Sequence, residues 1–342
     1  MKILVIGGSG FLSSVAVAIL LERGHQVTTF TRGRSGERPT TTANLIRLTG
    51  DRHDPAALQN ALLAGPFDAV YDFIAYEPAE SRLAAKTFHG RVGRFIHCST
   101  ISVYLVSDQV ICPITEEQDK APLMPFWERN PFGMTYGINK RACEEILWQA
   151  HDERQFPVSM LRPTFISGPH DPAKRDFFWI ERINDGGPLL VPGHGEFLFQ
   201  SVYVEDAARA FTDLLEAENS IGKAYNVAAE EILSLNDYLH LLARLIGRDI
   251  RFVHLDQELF DRLPFSRHPG GDVFPFNTRR DATFSLEEIS RDLGYHTTPI
   301  AQWLATTIDW FTTHYNGHST GYEARAQELA VIQKIDEDRS PL

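Results

Sequence analysis

Hydrophobic residues gather into short runs at 3–6, 27–30, 45–48, 69–73, 95–98 and 158–161, separated by segments long enough to be helices. Runs that are apolar at consecutive positions fit strands covered on both faces, and their alternation with helical segments predicts a parallel sheet. Right-handed crossovers make such a sheet doubly wound, with ligands bound beyond the carboxyl ends of its strands. The expected class is therefore α/β.

Between 106 and 132 the pattern lapses into prolines and acidic residues, the composition of a long surface connection. Such long connections are often functional. After Gly168 the chain mixes Gly/Pro-rich turns with helical stretches near 205–217, 234–246 and 299–315. We read residues 1–168 as a cofactor-binding domain and 169–317 as mainly a smaller substrate-binding region, some of whose segments return to the core. Residues 318–342 form a polar, helix-compatible extension.

The 342 residues, 43% hydrophobic, suffice for a continuous core. The first strand-like run follows Met1 directly, leaving no room for a secretory leader. The longest unbroken apolar run, 15–21, falls well short of the roughly 20 residues that span a bilayer. Cys98, Cys112 and Cys143 are odd in number and lack metal-type spacing, so free thiols and a cytoplasmic location are expected. A net charge of -12 disfavours nucleic acid as a partner.

Chemistry begins at Gly7-Gly8-Ser9-Gly10-Phe11-Leu12-Ser13, which follows the first strand and opens a helix. The first glycine permits a tight turn, Gly10 lets backbone approach a pyrophosphate, and the helix N-terminus supplies N–H groups and a positive dipole. Ser13 stands where a third small residue is usual. In Thr31-Arg32-Gly33-Arg34, at the end of the second strand, no carboxylate is present to bind both ribose hydroxyls or to repel a 2′-phosphate. Arg32 and Arg34 suit that phosphate, which favours NADP(H) over NAD(H); the other reading is a solvated basic loop. In Gly50-Asp51-Arg52-His53-Asp54, Asp51 can accept from an adenine amino group, while Asp54 suits a helix cap.

Tyr136 and Lys140 are four residues apart, on one face if 133–154 is helical. A nearby ammonium favours phenolate, lowering the tyrosine pKa toward neutrality, and lysine can also hold the nicotinamide ribose. Upstream, Ser99 and Thr100 end the fifth strand-like run, where one hydroxyl can polarise a substrate oxygen.

Glycine loop, hydroxyl-bearing strand end and Tyr/Lys helix, in that order, resemble an extended short-chain dehydrogenase/reductase of the NAD-dependent epimerase/dehydratase group. The resemblance continues through Leu161-Arg162-Pro163, Gly168-Pro169, Val204-Glu205-Asp206, Ala224-Tyr225-Asn226 and Leu293-Gly294-Tyr295. It implies a Rossmann domain with a mixed C-terminal substrate region, and hydride transfer between nicotinamide and a carbinol or carbonyl carbon. Catalysis then falls to Tyr136, Lys140 and Thr100, the last by register with Val103-Tyr104. Cofactor contacts fall to Gly7, Ser9, Gly10, Phe11, Leu12, Thr31, Arg32, Arg34, Asp51, Arg52, Lys140 and Pro163. A small-molecule substrate is expected, and a homodimer is left open.

Departures narrow the reaction. Ile101 and Ser102 stand where the family's dehydratases carry Asp-Glu, which disfavours dehydration. Phe165 and Phe199 stand where nucleotide-sugar enzymes carry diphosphate-binding Asn and Arg, although Arg267 can supply another such contact. A ketone–alcohol oxidoreductase is preferred over an epimerase. The later half also resembles chloroplast stem-loop-binding proteins, which keeps a regulator or RNA-associated role as a third reading. Aromatics at 126, 127, 132, 177–179, 197 and 199 suit core packing for the most part, with a pocket lining as the alternative. His314 and His318 lack the further ligands of a metal site.

Overall fold

The computed structural model describes residues 1–33, 43–268 and 271–339. Seven strands, β1 (Lys2–Ile6), β2 (Gln26–Thr31), β3 (Leu45–Thr49), β4 (Ala69–Asp72), β5 (Arg94–Cys98), β6 (Val158–Pro163) and β7 (Ala224–Val227), form the main sheet. Its order is β7-β6-β5-β4-β1-β2-β3, and every pairing is parallel. The order reverses between β1 and β4, where a doubly wound sheet opens a crevice beyond its strand ends. The expected Rossmann-type architecture is present.

Helices α1 (Phe11–Glu22), α2 (Pro55–Leu63), α3 (Pro78–Phe88), α4 (Ser102–Leu105), α5 (Met134–Arg154), α6 (Arg175–Asn184) and α7 (Val204–Asp213) follow in chain order. Strand side chains alternate between faces, so β1 serves two cores. Ile3 and Val5 pack with Leu12 and Ala16 of α1 and Phe211 of α7. Leu4 and Ile6 pack with Leu58 of α2, Phe88 of α3 and Leu147 of α5. Although β7 and α7 come late in the chain, both belong to the sheet layers.

Arg162 of β6 locks α5 and the long connection to the sheet. Its buried guanidinium donates to Glu144 of α5 at 2.9 and 2.6 Å, to Asp119 at 2.6 Å and to the Tyr104 hydroxyl at 2.5 Å. Tyr104 in turn donates to Asn226 of β7 at 2.7 Å. The connection therefore carries little regular structure yet is held firmly at its acidic residues.

The later region adds two-stranded pairs, among them 165–167 with 201–203 and 189–192 with 252–255, and helices at 235–246 and 300–314. The polar extension forms a helix, Arg325–Arg339, tied down by a buried ion pair between Arg182 and Glu328 and by Arg325 on Asp185 at 2.7 Å. All three cysteines are free thiols. Among the described residues no helix is long and apolar enough to cross a membrane.

Candidate active site

The loop after β1 is built from close backbone approach. Gly7 and Gly8 adopt φ of +103° and +98°, and a Cβ on Gly8 would meet Thr29 Cγ2 at 2.8 Å. Ser13 completes the turn from within α1: its Oγ accepts from the Gly8 and Gly10 N–H groups at 3.2 and 3.0 Å. Ser9 lies within the turn, and Phe11 and Leu12 begin the helix, whose first N–H groups have no partner within the helix. A cavity of about 720 Å3 lies against this turn, lined by Gly8, Ser9, Gly10, Thr29 and Thr31 and also by Arg47 of β3. These residues fit a dinucleotide: a side-chain-free approach and unpaired helix N–H groups are what a pyrophosphate needs.

At the end of β2, Thr31 accepts from the Gly33 N–H at 3.2 Å and Arg32 is exposed. Arg34 lies outside the described residues. Asp51 is exposed, with Oδ1 engaged by the His53 N–H at 3.0 Å and the His53 ring at 2.7 Å. Asp54 is the helix cap, accepting from the Ala56 N–H at 2.9 Å. Arg52 corrects an expectation. Its guanidinium is buried on Asp72 at 2.5 Å and Glu80 at 3.3 Å, so it braces β4 and α3 and is not available to a cofactor. Arg47, the one charge inside the strand-like run at 45–48, also lines the first cavity.

A second cavity, of about 550 Å3, brings Gly10, Phe11 and Leu12 together with Ser99, Thr100, Tyr136, Lys140 and Pro163. Gly137 makes this possible: a Cβ there would lie 2.6 Å from the Ser102 carbonyl oxygen, so only glycine lets α5 settle on α4. Tyr136 is thereby set on the same cavity as Thr100. Thr100 Oγ1 accepts from the Ser102 N–H at 3.2 Å, while the buried Ser99 hydroxyl has no partner.

Lys140 is fully buried, its Nζ donating to the Cys98 and Ala75 carbonyl oxygens at 2.6 and 2.7 Å and lying 3.3 Å from His97 Nε2. Burial lowers its pKa, opposed by nearby Cys98, Cys143, Asp72 and Glu144. The phenol behaves otherwise than the spacing suggested: burial raises the Tyr136 pKa, and the opposing influence comes from the Thr100 side chain, not Lys140. The ammonium is engaged by the Ala75 and Cys98 carbonyls while Lys140 still lines the cavity.

Phe73, Ile74, Ile101, Phe132, Phe165 and Ile166 make much of the remaining wall apolar, while Asp171 and Arg175 add a charged pair, the Arg175 guanidinium lying over the Phe165 ring at 5.6 Å. Phe165 stacks on Phe132 at 5.4 Å, and Phe276 and the buried Phe199 stand behind it. Phe177, Phe178, Trp179 and Phe199 are core residues, so among the aromatics singled out by position only Phe132 lines this cavity. Arg267 is spent on Glu128. His318 binds Glu181 at 3.1 Å, and no cluster suited to a metal occurs among the described residues.

Residues 3–228 match the model of the NAD dependent epimerase/dehydratase family. The chain belongs to that family. Among its relatives is a chloroplast stem-loop binding protein of 41 kDa from Arabidopsis thaliana, 30% identical over 310 residues, 86% of this chain and 74% of that one. A 2-alkyl-3-oxoalkanoate reductase from Stenotrophomonas maltophilia is 32% identical over 266 residues, 72% of this chain and 76% of the relative. In fold the chain is similar to the UDP-glucose 4-epimerase of Thermotoga maritima, with a TM-score of 0.72 at 21% identity, covering 91% of this chain and 99% of that one. It is also similar to the UDP-glucuronic acid 4-epimerase of Bacillus cereus solved with NAD, with a TM-score of 0.70 at 20% identity over 92% and 100% of the two chains.

Ile101, Phe165 and Phe199 are apolar, and Ser102 is already hydrogen-bonded. Ser102 Oγ donates to the Phe132 carbonyl oxygen at 2.9 Å, which leaves it no general acid–base role.

Proposed function

We propose that this chain is an NADP(H)-dependent oxidoreductase that interconverts a ketone and a secondary alcohol in a small, largely apolar molecule. The observation that carries the reading is the single cavity onto which the α1 N-terminus, Thr100, Tyr136 and Lys140 all open, walled by Phe132 and Phe165. Gly7, Ser9, Gly10, Phe11 and Leu12 would hold the pyrophosphate, Thr31 and Arg32 the adenosine ribose and its phosphate, Asp51 the adenine, and Lys140 and Pro163 the nicotinamide end. Arg47 joins the phosphate-side group. When bound, the nicotinamide supplies or takes up the hydride. Tyr136 passes a proton to the substrate oxygen or removes it, and Thr100 orients that oxygen and stabilises its developing charge. Residues 169–317 would contribute further substrate contacts, beginning with Asp171 and Arg175 at the cavity wall.

The stacked Phe132 and Phe165 in the cavity wall suit a largely apolar substrate and favour net redox over nucleotide-sugar epimerisation, and the similarity to a 2-alkyl-3-oxoalkanoate reductase points the same way, although Arg175 adds one cation to that wall. The deciding experiment follows NADPH and NADH oxidation against a panel of small ketones and 3-oxo acids, with UDP-glucose and UDP-glucuronic acid run for epimerised product. Ketone-dependent NADPH oxidation abolished by Tyr136→Phe is expected; epimerised product without net oxidation would overturn the reading. The stem-loop-binding relative motivates a second reading, RNA association, against which the net charge of -12 weighs. A mobility shift with stem-loop RNA, unaffected by Tyr136→Phe, would favour it.

A further inference from the structure

An ammonium has three hydrogens, and the chain alone gives Lys140 three acceptors. Two are backbone oxygens, of Cys98 and Ala75, at 2.6 and 2.7 Å; the third is His97 Nε2, more distant at 3.3 Å. Any ribose hydroxyl that takes a hydrogen from Lys140 must therefore displace an acceptor already present. The carbonyls are fixed by the end of β5 and the turn after β4. His97 is a side chain.

His97 is completely buried. For its Nε2 to accept, the ring proton must sit on Nδ1, and Nδ1 has no hydrogen-bond partner. The imidazole is thus anchored by polar contact on the lysine side alone. Burial, Lys140 and Arg52 all push its pKa well below the ordinary histidine value, so the ring is neutral. A neutral acceptor can be abandoned without stranding a buried charge, as a carboxylate could not.

We propose that His97 is a positioning residue: the exchangeable third acceptor that keeps Lys140 aimed at the cleft and gives way when a cofactor ribose hydroxyl arrives. This rests on the reading of Lys140 as a cofactor-holding residue. The other groups around the ammonium are Asp72 of β4, Tyr76, whose ring centroid lies 5.9 Å away, Cys98 of β5, and Cys143 and Glu144 of its own helix. None of these is a third hydrogen-bond acceptor for Nζ. Exchange at His97 costs the least because only that contact is made by a side chain and is already long.

The test compares wild type with His97→Leu, His97→Gln and Lys140→Met, measuring thermal midpoint with and without saturating NADP+, and the NADP+ dissociation constant by titration. Leucine removes the acceptor and glutamine retains one. His97→Leu should destabilise the cofactor-free protein more than the complex, so its NADP+-induced rise in midpoint exceeds that of wild type. NADP+ should bind about tenfold more tightly, as expected when one unpaired ammonium hydrogen is satisfied only in the complex. His97→Gln should resemble wild type in both measurements. Equal destabilisation of His97→Leu with and without NADP+, or weaker binding in both histidine variants, would overturn the proposal. Unchanged NADP+ affinity in Lys140→Met would instead remove the underlying reading of Lys140. Should His97→Leu fail to fold, a His97→Gln protein that binds NADP+ more weakly than wild type would overturn the proposal, and unaltered binding would support it.

Discussion

Tyr136 and Thr100 line one cavity, where Thr100 opposes the rise in the phenol's pKa, and the hydroxyl one residue earlier, Ser99, is buried and unpartnered. Two adjacent hydroxyls are therefore unequal, and only one acts on the proposed proton donor. Tyr136→Phe should cost roughly 10²–10⁴-fold in turnover, the usual worth of a positioned acid–base group, while leaving cofactor affinity nearly intact. Thr100→Val should cost about 3 kcal/mol of barrier and Ser99→Ala little. Single-turnover measurements on the three variants check this; a larger loss in Ser99→Ala than in Thr100→Val would reverse the assignment.

Ser13 fastens the nucleotide loop through two N–H groups, so its loss should be felt as affinity before stability. Ser13→Ala leaves the Gly8 and Gly10 donors without their side-chain acceptor. We expect weaker NADP+ binding by about tenfold, near the net value of a hydrogen bond or two, with a small change in melting. Isothermal titration beside a melting curve separates these; unchanged affinity would show that the loop holds its shape without Ser13.

The adenosine end should discriminate between cofactors. Arg32 is exposed beside a strand end that carries Thr31 in place of an acid, and Arg47 lines the adjoining cavity. Arg32→Ala should weaken NADP+ binding about tenfold or more and leave NAD+ binding nearly unchanged, because a charge-assisted bond to the 2′-phosphate is made only to the former. Equal losses for the two cofactors would place Arg32 outside that contact.

Six of the seven sheet strands were legible because strands covered on both faces are mostly apolar, whereas Ala224–Val227, which returns to the sheet from late in the chain, was not among the runs. The Tyr136/Lys140 face was legible because helical spacing is local. What stayed hidden depends on partners distant in the chain. Lys140 finds its acceptors at Ala75 and Cys98, and Arg52 finds Asp72 and Glu80; nothing near either residue reveals them. Arg52 beside Asp51 accordingly resembled a cofactor contact, whereas burial with two carboxylates makes it a brace. His97 did carry a signal, since an imidazole inside a buried strand must find a partner.

Asp176 gives the fold a pH dependence of definite sign. Its carboxyl is fully buried on α6, with Oδ1 accepting from the Tyr238 hydroxyl at 2.7 Å and Oδ2 unpartnered. Burial, assisted by Asp171 and opposed by the Tyr238 bond, raises its pKa from 3.8 to about 7. Between those values the folded chain holds a proton that the unfolded chain has lost, so stability from this group falls as pH rises through the window. Above about pH 7 the folded state carries the whole cost of a buried carboxylate, on the order of 2–4 kcal/mol. Asp176→Asn keeps an oxygen for Tyr238 and cannot ionise. Chemical denaturation at pH 5 and pH 8.5 should therefore show the variant gaining on wild type at the higher pH by about that amount. A stability difference independent of pH would mean that Asp176 is already ionised in the folded chain at pH 5.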